Sequence, residues 1–204
     1  MDSVQVAPSA NVYESPEYWN GHIGYRAPGY WDFLANTLKE IAILTNRPRS
    51  LLDLGCAYGY SVTRLRQLGI DAYGVDISKL ALDRRPRQET RPYFQHAPLW
   101  KMGFADKAFD FGFSSGVLEH IPGDMLAETI KEITRVCNRG LIGVAVTDDP
   151  TSQQNEDETH EHLRSLAEWR DIFPPSFEII SDSEASWRVY ATMKVWEVLC
   201  NQSR

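Results

Sequence analysis

The stretch Ser50-Leu51-Leu52-Asp53-Leu54-Gly55-Cys56-Ala57-Tyr58-Gly59-Tyr60-Ser61-Val62 decides the fold. Its first half is a short apolar run of the kind that forms a strand buried on both faces. Gly55 to Gly59 is a glycine turn, after which Val62, Leu65 and Leu68 recur at helical spacing until Gly69 stops them. Asp71 to Asp76 reads as a second strand, and Ser78 is an N-cap for a helix that Pro86 must end. Two strands joined by a helix predict a parallel pair, because parallel strands need a crossover.

Working outward, the alternation repeats. Tyr93 to Gln95 is a weak third strand and Phe109 to Ser114 a clearer fourth. Asp124 is expected to cap a helix carrying Leu126, Ile130, Ile133 and Cys137 and closing near Gly140, with Leu141 to Thr147 as the fifth strand. Ser165 and Glu168 have the spacing of a capping box, opening a helix with Leu166, Trp169, Ile172 and Phe173 that Pro174-Pro175 ends. Phe177 to Ser181 and Trp187 to Leu199 read as an antiparallel hairpin. The expected fold is α/β: a Rossmann-like open sheet, mostly parallel with one antiparallel edge strand, and helices on both faces.

Ahead of this core, Met1 to Asn11 reads as a loose tail. Val12 to Tyr30 mixes Tyr13, Tyr18, Trp19, Tyr25 and Tyr30 with enough glycine and proline to argue against a regular element. Trp31, Leu34, Leu38, Ile41 and Ala42 form an amphipathic helix ending before Pro48. The expected division is a tail and aromatic strap or lid over residues 1–27, then one domain over 28–204.

Composition narrows the function. The 204 residues are 43% hydrophobic and 24% charged, which excludes disordered and fibrous classes. Twenty-one Lys+Arg against 28 Asp+Glu leave a net charge of -7, which opposes phosphate polymers and anionic lipid. The one basic cluster, Arg84, Arg85, Arg87 and Arg91, has no interleaved aromatics and reads as a solvated face. No nucleic-acid or membrane partner is therefore expected. Three scattered cysteines without CxxC spacing suggest neither a disulfide framework nor a cysteine zinc site. With no leader-like or membrane-spanning apolar run, the expected location is the cytoplasm.

The glycine turn lies where ligands bind in open α/β sheets, at the carboxyl end of the first strand. Asp76, 17 positions past Gly59 at the end of the second strand, is placed to accept from both hydroxyls of a ribose. A nucleoside is implied. A dinucleotide fingerprint is GxGxxG, and its middle glycine admits a pyrophosphate; here that position is Ala57 and the spacing is GxxxG. Asp53 adds a charge that repels a diphosphate and welcomes an ammonium group.

Asp53-Leu-Gly55-Cys-Ala-Tyr-Gly59, Asp76 and Phe109-Asp110-Phe-Gly-Phe-Ser114-Ser-Gly-Val-Leu-Glu119-His120-Ile-Pro122 resemble the small-molecule branch of the class I S-adenosylmethionine-dependent methyltransferases, from about Pro28 to Val146. The resemblance implies S-adenosyl-L-methionine as cofactor. Gly55, Ala57 and Gly59 would then line its methionine part, Asp53 would sit near the ammonium group, Asp76 would bind the ribose, and Ile77 and Ser114 would flank the pocket. Two departures stand out. Ala57 replaces the middle glycine, tolerable with a negative φ. His96-Ala97 stands where the family has Asp-Ala, so the backbone at Ala97 is expected to hold the adenine. Arg26 is a candidate clamp for the cofactor's carboxylate.

The implied reaction is methyl transfer to an oxygen or nitrogen of a small-molecule acceptor. Histidine is the natural base near neutral pH, and His160 and His162 in the acidic loop are the candidates for acceptor contact or proton removal. The run Glu156 to His162 has metal-ligand residue types but no defined site spacing, so no metal is expected there. His120 is read as satisfying a carbonyl. The alternatives are a nucleotide-dependent, NAD-type oxidoreductase on a Rossmann-like fold and a non-catalytic S-adenosylmethionine-binding protein. Oligomeric state and acceptor identity are silent.

Overall fold

Strand β1 (Leu51–Leu54) is buried at every position, as its uninterrupted apolar run requires. It pairs in parallel with β2 (Ala72–Asp76), Leu51 facing Ala72 and Leu54 facing Val75. The crossover is helix α2 (Tyr60–Gln67), which buries Val62 and Leu65. It stops where the periodicity predicted: Gly69 takes φ +82°, its N–H reaches the Arg66 carbonyl, and the Ile70 N–H reaches Leu65 at 3.0 Å. That pair of reversed bonds satisfies the last carbonyls of the helix. Helix α3 (Lys79–Asp83) follows β2, with the Ser78 hydroxyl accepting from the Ala81 N–H. Strand β3 (Phe94–His96) then joins β2 in parallel.

The computed structural model describes residues 12–21, 48–84, 88–144, 159–161, 163–181 and 189–193. The expected helix over Trp31 to Ala42, and with it Tyr25, Arg26, Tyr30 and His162, lies outside the described residues. The chain divides into two units, 1–103 and 104–204. In the first unit the strand order is β3-β2-β1, all parallel.

In the second unit β4 (Phe109–Ser115) pairs in parallel with β5 (Cys137–Val144), and helix α4 (Gly123–Val136) is the crossover. Two boundaries differ from expectation. The helix begins at Gly123, with Asp124 inside its first turn rather than at the cap. It ends before Cys137, whose backbone is already extended and opposite Phe109. Pairing with β4 overrides the helical spacing that places Cys137 with Ile133. Helix α5 (Leu166–Ile172) opens with the predicted capping box, Ser165 and Glu168 bonding reciprocally, and Trp169 on it is fully buried.

Strands β6 (Phe177–Ser181) and β7 (Val189–Met193) form the predicted antiparallel hairpin. The reversed strand is not at the edge, however. β7 inserts between β5 and β6, so the order in this unit is β4-β5-β7-β6. The hairpin turn alone leaves open which arm meets β5; the arm that enters the sheet gains a ladder on both sides. The fold class is the Rossmann-like α/β arrangement expected, mostly parallel with one reversed strand.

The described part of the segment preceding the core, residues 12–21, is more regular than the glycine and proline of the whole segment suggested. Helix α1 (Pro16–Gly21) starts on proline, a residue preset for a first helical turn, behind Ser15, whose hydroxyl accepts from the Glu17 and Tyr18 N–H groups. Trp19 is buried against Ala57, Tyr58 and Ala81.

Candidate functional site

The turn between β1 and α2 is built by backbone. Gly55 and Cys56 both donate to the Val75 carbonyl, and Gly59 closes the turn on Cys56 at 2.8 Å. Gly59 lies at φ +69°, and a Cβ there would come within 2.3 Å of the Phe94 ring, so glycine is required twice over. Ala57 departs from expectation. Its φ is +49°, in the left-handed region that favours glycine, where a negative φ was expected. A left-handed alanine costs about 1–2 kcal/mol. Its N–H offsets that cost by donating to Asp76 Oδ2 at 2.7 Å.

Asp76 is therefore held from both sides, its other oxygen accepting from the Ser78 N–H at 2.8 Å. Each carboxylate oxygen carries two lone pairs, so one remains on each for a further donor. The carboxyl is buried, which pushes its pKa up to about 6, against the lowering from these two backbone bonds. Asp53, at the end of β1, is buried as well and accepts from the Ser61 hydroxyl on α2. Burial first, and the charge of Asp76 in addition, push its pKa up to about 7, opposed by the Ser61 bond. Two desolvated carboxyls in one unit favour a ligand that brings positive charge and hydroxyl donors, and disfavour a diphosphate.

Residues 13–19 are tied to the same elements. The Tyr13 carbonyl accepts from the Ser78 hydroxyl and the Trp19 indole N–H, and the Glu14 carboxylate caps α3 by accepting from the Lys79 and Leu80 N–H groups. Trp19 and Tyr58 meet edge to face with ring centres 5.0 Å apart. His96 is exposed and its Nε2 lies 2.9 Å from the Ile77 carbonyl, the nitrogen therefore donating. The Ala97 N–H is committed to the Asp76 carbonyl at 3.0 Å, which leaves the Ala97 carbonyl as the group able to accept from an adenine amino group.

In the second unit Ser114 is fully buried at the carboxyl end of β4, and its hydroxyl has no hydrogen-bond partner among the described residues. Such an orphan at a strand end is where a ligand atom is expected. Beyond it, Leu118–His120 forms a single 3-10 turn with Leu118 and Glu119 buried. His120 Nδ1 lies 3.1 Å from the Thr159 carbonyl, so it does satisfy a carbonyl as expected. The His160 ring sits 4.7 Å from that of His120, tilted by 41°. Sequence reasoning paired His160 with His162; the fold pairs it with His120 and Glu119. The only available signal was the Glu119-His120 dipeptide directly after a strand end.

Residues 52–144 match the model of the family described as methyltransferase domain. That match covers under half of the chain, and over it the fold and the glycine turn are similar to those of methyltransferase domains. Among individual proteins, a malonyl-[acyl-carrier protein] O-methyltransferase of Buchnera aphidicola is 30% identical over 91 residues, 45% of this chain and 36% of that protein. The chain thus matches about a third of that relative's length. Magnesium protoporphyrin IX methyltransferase from Synechocystis, solved with bound S-adenosylmethionine, aligns over 95% of this chain and all of its own at 15% identity, TM-score 0.66. The 1,6-didemethyltoxoflavin-N1-methyltransferase of Burkholderia thailandensis aligns over 94% and 91% at 16% identity, TM-score 0.62. At these identities the two structures establish the fold.

Proposed function

We propose that the chain transfers the methyl group of S-adenosyl-L-methionine to an oxygen or nitrogen of a small-molecule acceptor. The observation that carries this reading is the pair Asp53 and Asp76, two carboxyls desolvated at the carboxyl ends of adjacent parallel strands. The cofactor supplies an electrophilic methyl on a sulfonium, so the protein has mainly to bind, orient and exclude water.

In this reading Asp76 uses its two remaining lone pairs for the ribose hydroxyls, and Asp53 faces the ammonium group. Gly55, Ala57 and Gly59 let the backbone approach the methionine part, and Ile77, His96 and Ala97 form the adenine side. The Ser114 hydroxyl gives the ligand a buried polar contact, and Arg26 takes its carboxylate. His160 and His162 act on the acceptor side, where an imidazole can remove a proton from a hydroxyl or amine. Residues 1–27 act as a strap over a single catalytic domain, 28–204, working in the cytoplasm; among the described residues no helix is long and apolar enough to cross a membrane. Oxygen and nitrogen acceptors both occur in the names of the proteins compared, which supports leaving the acceptor atom open between those two.

The test is calorimetric titration of wild type and Asp76→Ala with S-adenosylmethionine, S-adenosylhomocysteine and NADH. Micromolar binding of the first two, lost in the variant, supports the reading. NADH binding alone would return it to an oxidoreductase. Transfer of labelled methyl to hydroxyl or amine acceptors, reduced in His160→Ala and His162→Ala, separates an enzyme from a protein that only holds the cofactor.

A further inference from the structure

We infer that Glu119, His120 and His160 form a binding site for one divalent transition-metal ion, zinc foremost. The ligand atoms of these three side chains all lie within 4.8 Å of one another. Around a zinc ion with bonds of about 2.0–2.2 Å, ligand atoms stand roughly 3.3 Å apart. Closing the widest gap takes a contraction of up to about 1.5 Å, which the half-buried His160 imidazole and the Glu119 carboxylate can supply by turning about their side-chain bonds while His120 stays on Thr159.

Three features favour a metal over an accidental cluster. The first is tautomer control. A carbonyl can only accept, so His120 Nδ1 carries its proton toward the Thr159 oxygen. Nε2 is thereby left as the basic nitrogen, the arrangement in which an outer partner orients a ligating imidazole. Thr159 Oγ1 lies at the same 3.1 Å from that nitrogen and reinforces the orientation.

The second is burial. Glu119 is only 2% exposed, so a cation bound there would meet a desolvated carboxyl, where charge attraction is stronger than at the surface. The third is support. Glu119 and His120 ride on the turn directly after β4, anchored by fully buried Leu118 and closed by the bond from the His120 N–H to Val117. His160 arrives a few residues before the capped start of α5, whose Trp169 is fully buried. Two imidazoles and one carboxylate are a donor set for zinc and its neighbours rather than for magnesium or calcium, which prefer all-oxygen ligands. Three protein ligands leave a fourth position open to water or to a ligand's oxygen or nitrogen.

The inference is separable from cofactor binding, because all three ligands come from the second unit, but it shares His160 with the proposed acceptor side, where a zinc-bound His160 would hold the acceptor's oxygen or nitrogen through the metal instead of taking its proton. The full chain, stripped with chelator and dialysed, is titrated with zinc chloride by calorimetry, and the metal retained after desalting is counted by plasma mass spectrometry. One zinc per chain is expected. His120→Ala and His160→Ala should each weaken binding by about 100-fold and Glu119→Gln by about tenfold, while His96→Ala leaves zinc affinity within twofold. Circular dichroism verifies folding; should His120→Ala unfold, His160→Asn and Glu119→Gln carry the test. Cobalt replacing zinc should give the absorption of a four-coordinate site. Sub-stoichiometric zinc in wild type, or affinity unchanged in the folded His160 and Glu119 variants, would overturn the site. S-adenosylmethionine binding, followed on the same samples, fails or survives independently.

Discussion

Asp76 and Glu119 are both buried acids, 7% and 2% exposed, one in each unit of the chain, and their surroundings differ. Asp76 is gripped by backbone N–H groups of Ala57 and Ser78, one in the glycine turn and one two residues on. Glu119 lies instead among imidazoles, one adjacent in sequence and one about forty positions away. A carboxylate held by backbone is tolerant of its neighbours' identities and depends on turn geometry. One placed among side chains depends on which side chains those are and on the fold that assembles them.

The comparison can be broken most severely by emptying a core. Trp169→Ala should destabilise the chain by about 3–5 kcal/mol, because the fully buried indole stacks on Phe173 and fixes the capped helix beyond His160. Urea unfolding measures it, and a loss under about 1 kcal/mol would mean that helix α5 does not anchor the second unit.

Asp76→Ala comes next. It strands two buried N–H donors, at about 1–3 kcal/mol each, and should abolish cofactor binding as well. Glu119→Gln, which keeps size and one acceptor, should leave cofactor affinity within about threefold. Equal losses in the two variants would erase the distinction between the regions.

Acidity sharpens the contrast within the first unit. Asp53 and Asp76 have pKa values pushed up to about 7 and about 6 from 3.8, so the folded chain holds these protons more tightly than the unfolded one. Their contribution to stability is fully present below about pH 4 and is lost as pH rises through 6 to 7. The free protein should therefore melt lower at pH 8 than at pH 5.5. Affinity for a cationic cofactor should run the other way, rising by up to about tenfold per pH unit for each proton released. Calorimetry in buffers of different ionisation heat checks the proton count.

The smallest effect sits at the turn itself. Ala57→Gly relieves about 1–2 kcal/mol of left-handed strain and gives up roughly 0.8 kcal/mol of methyl burial together with some backbone entropy. Stability should stay within about 0.5 kcal/mol of wild type, although alanine-to-glycine changes elsewhere destabilise. A drop above 1.5 kcal/mol would show that the methyl contact with Trp19 outweighs the strain.

Much of the first unit was legible from residues because its determinants are local. An apolar run, a turn, a helical period and an acid at fixed spacing are each set by contacts within a few residues, and so is the Ser165–Glu168 capping box. The conformation of Ala57 was misread because residue type gives only a preference in φ, and the bond to Asp76 outweighs that preference. Cys137 was misread for a related reason, its helical spacing yielding to a ladder with Phe109.

By itself, the sequence determined an α/β chain with parallel strands joined by helices, a glycine turn facing an acid at ribose spacing, and a charge balance hostile to polyanions. Only the tertiary structure decided that β7 enters between β5 and β6, that Glu14 and Tyr13 clasp the start of α3, and that His160 meets Glu119 and His120. The physical reason is range. Periodicity and capping act over one or two turns of chain, whereas strand order and side-chain clusters depend on which distant surfaces bury each other.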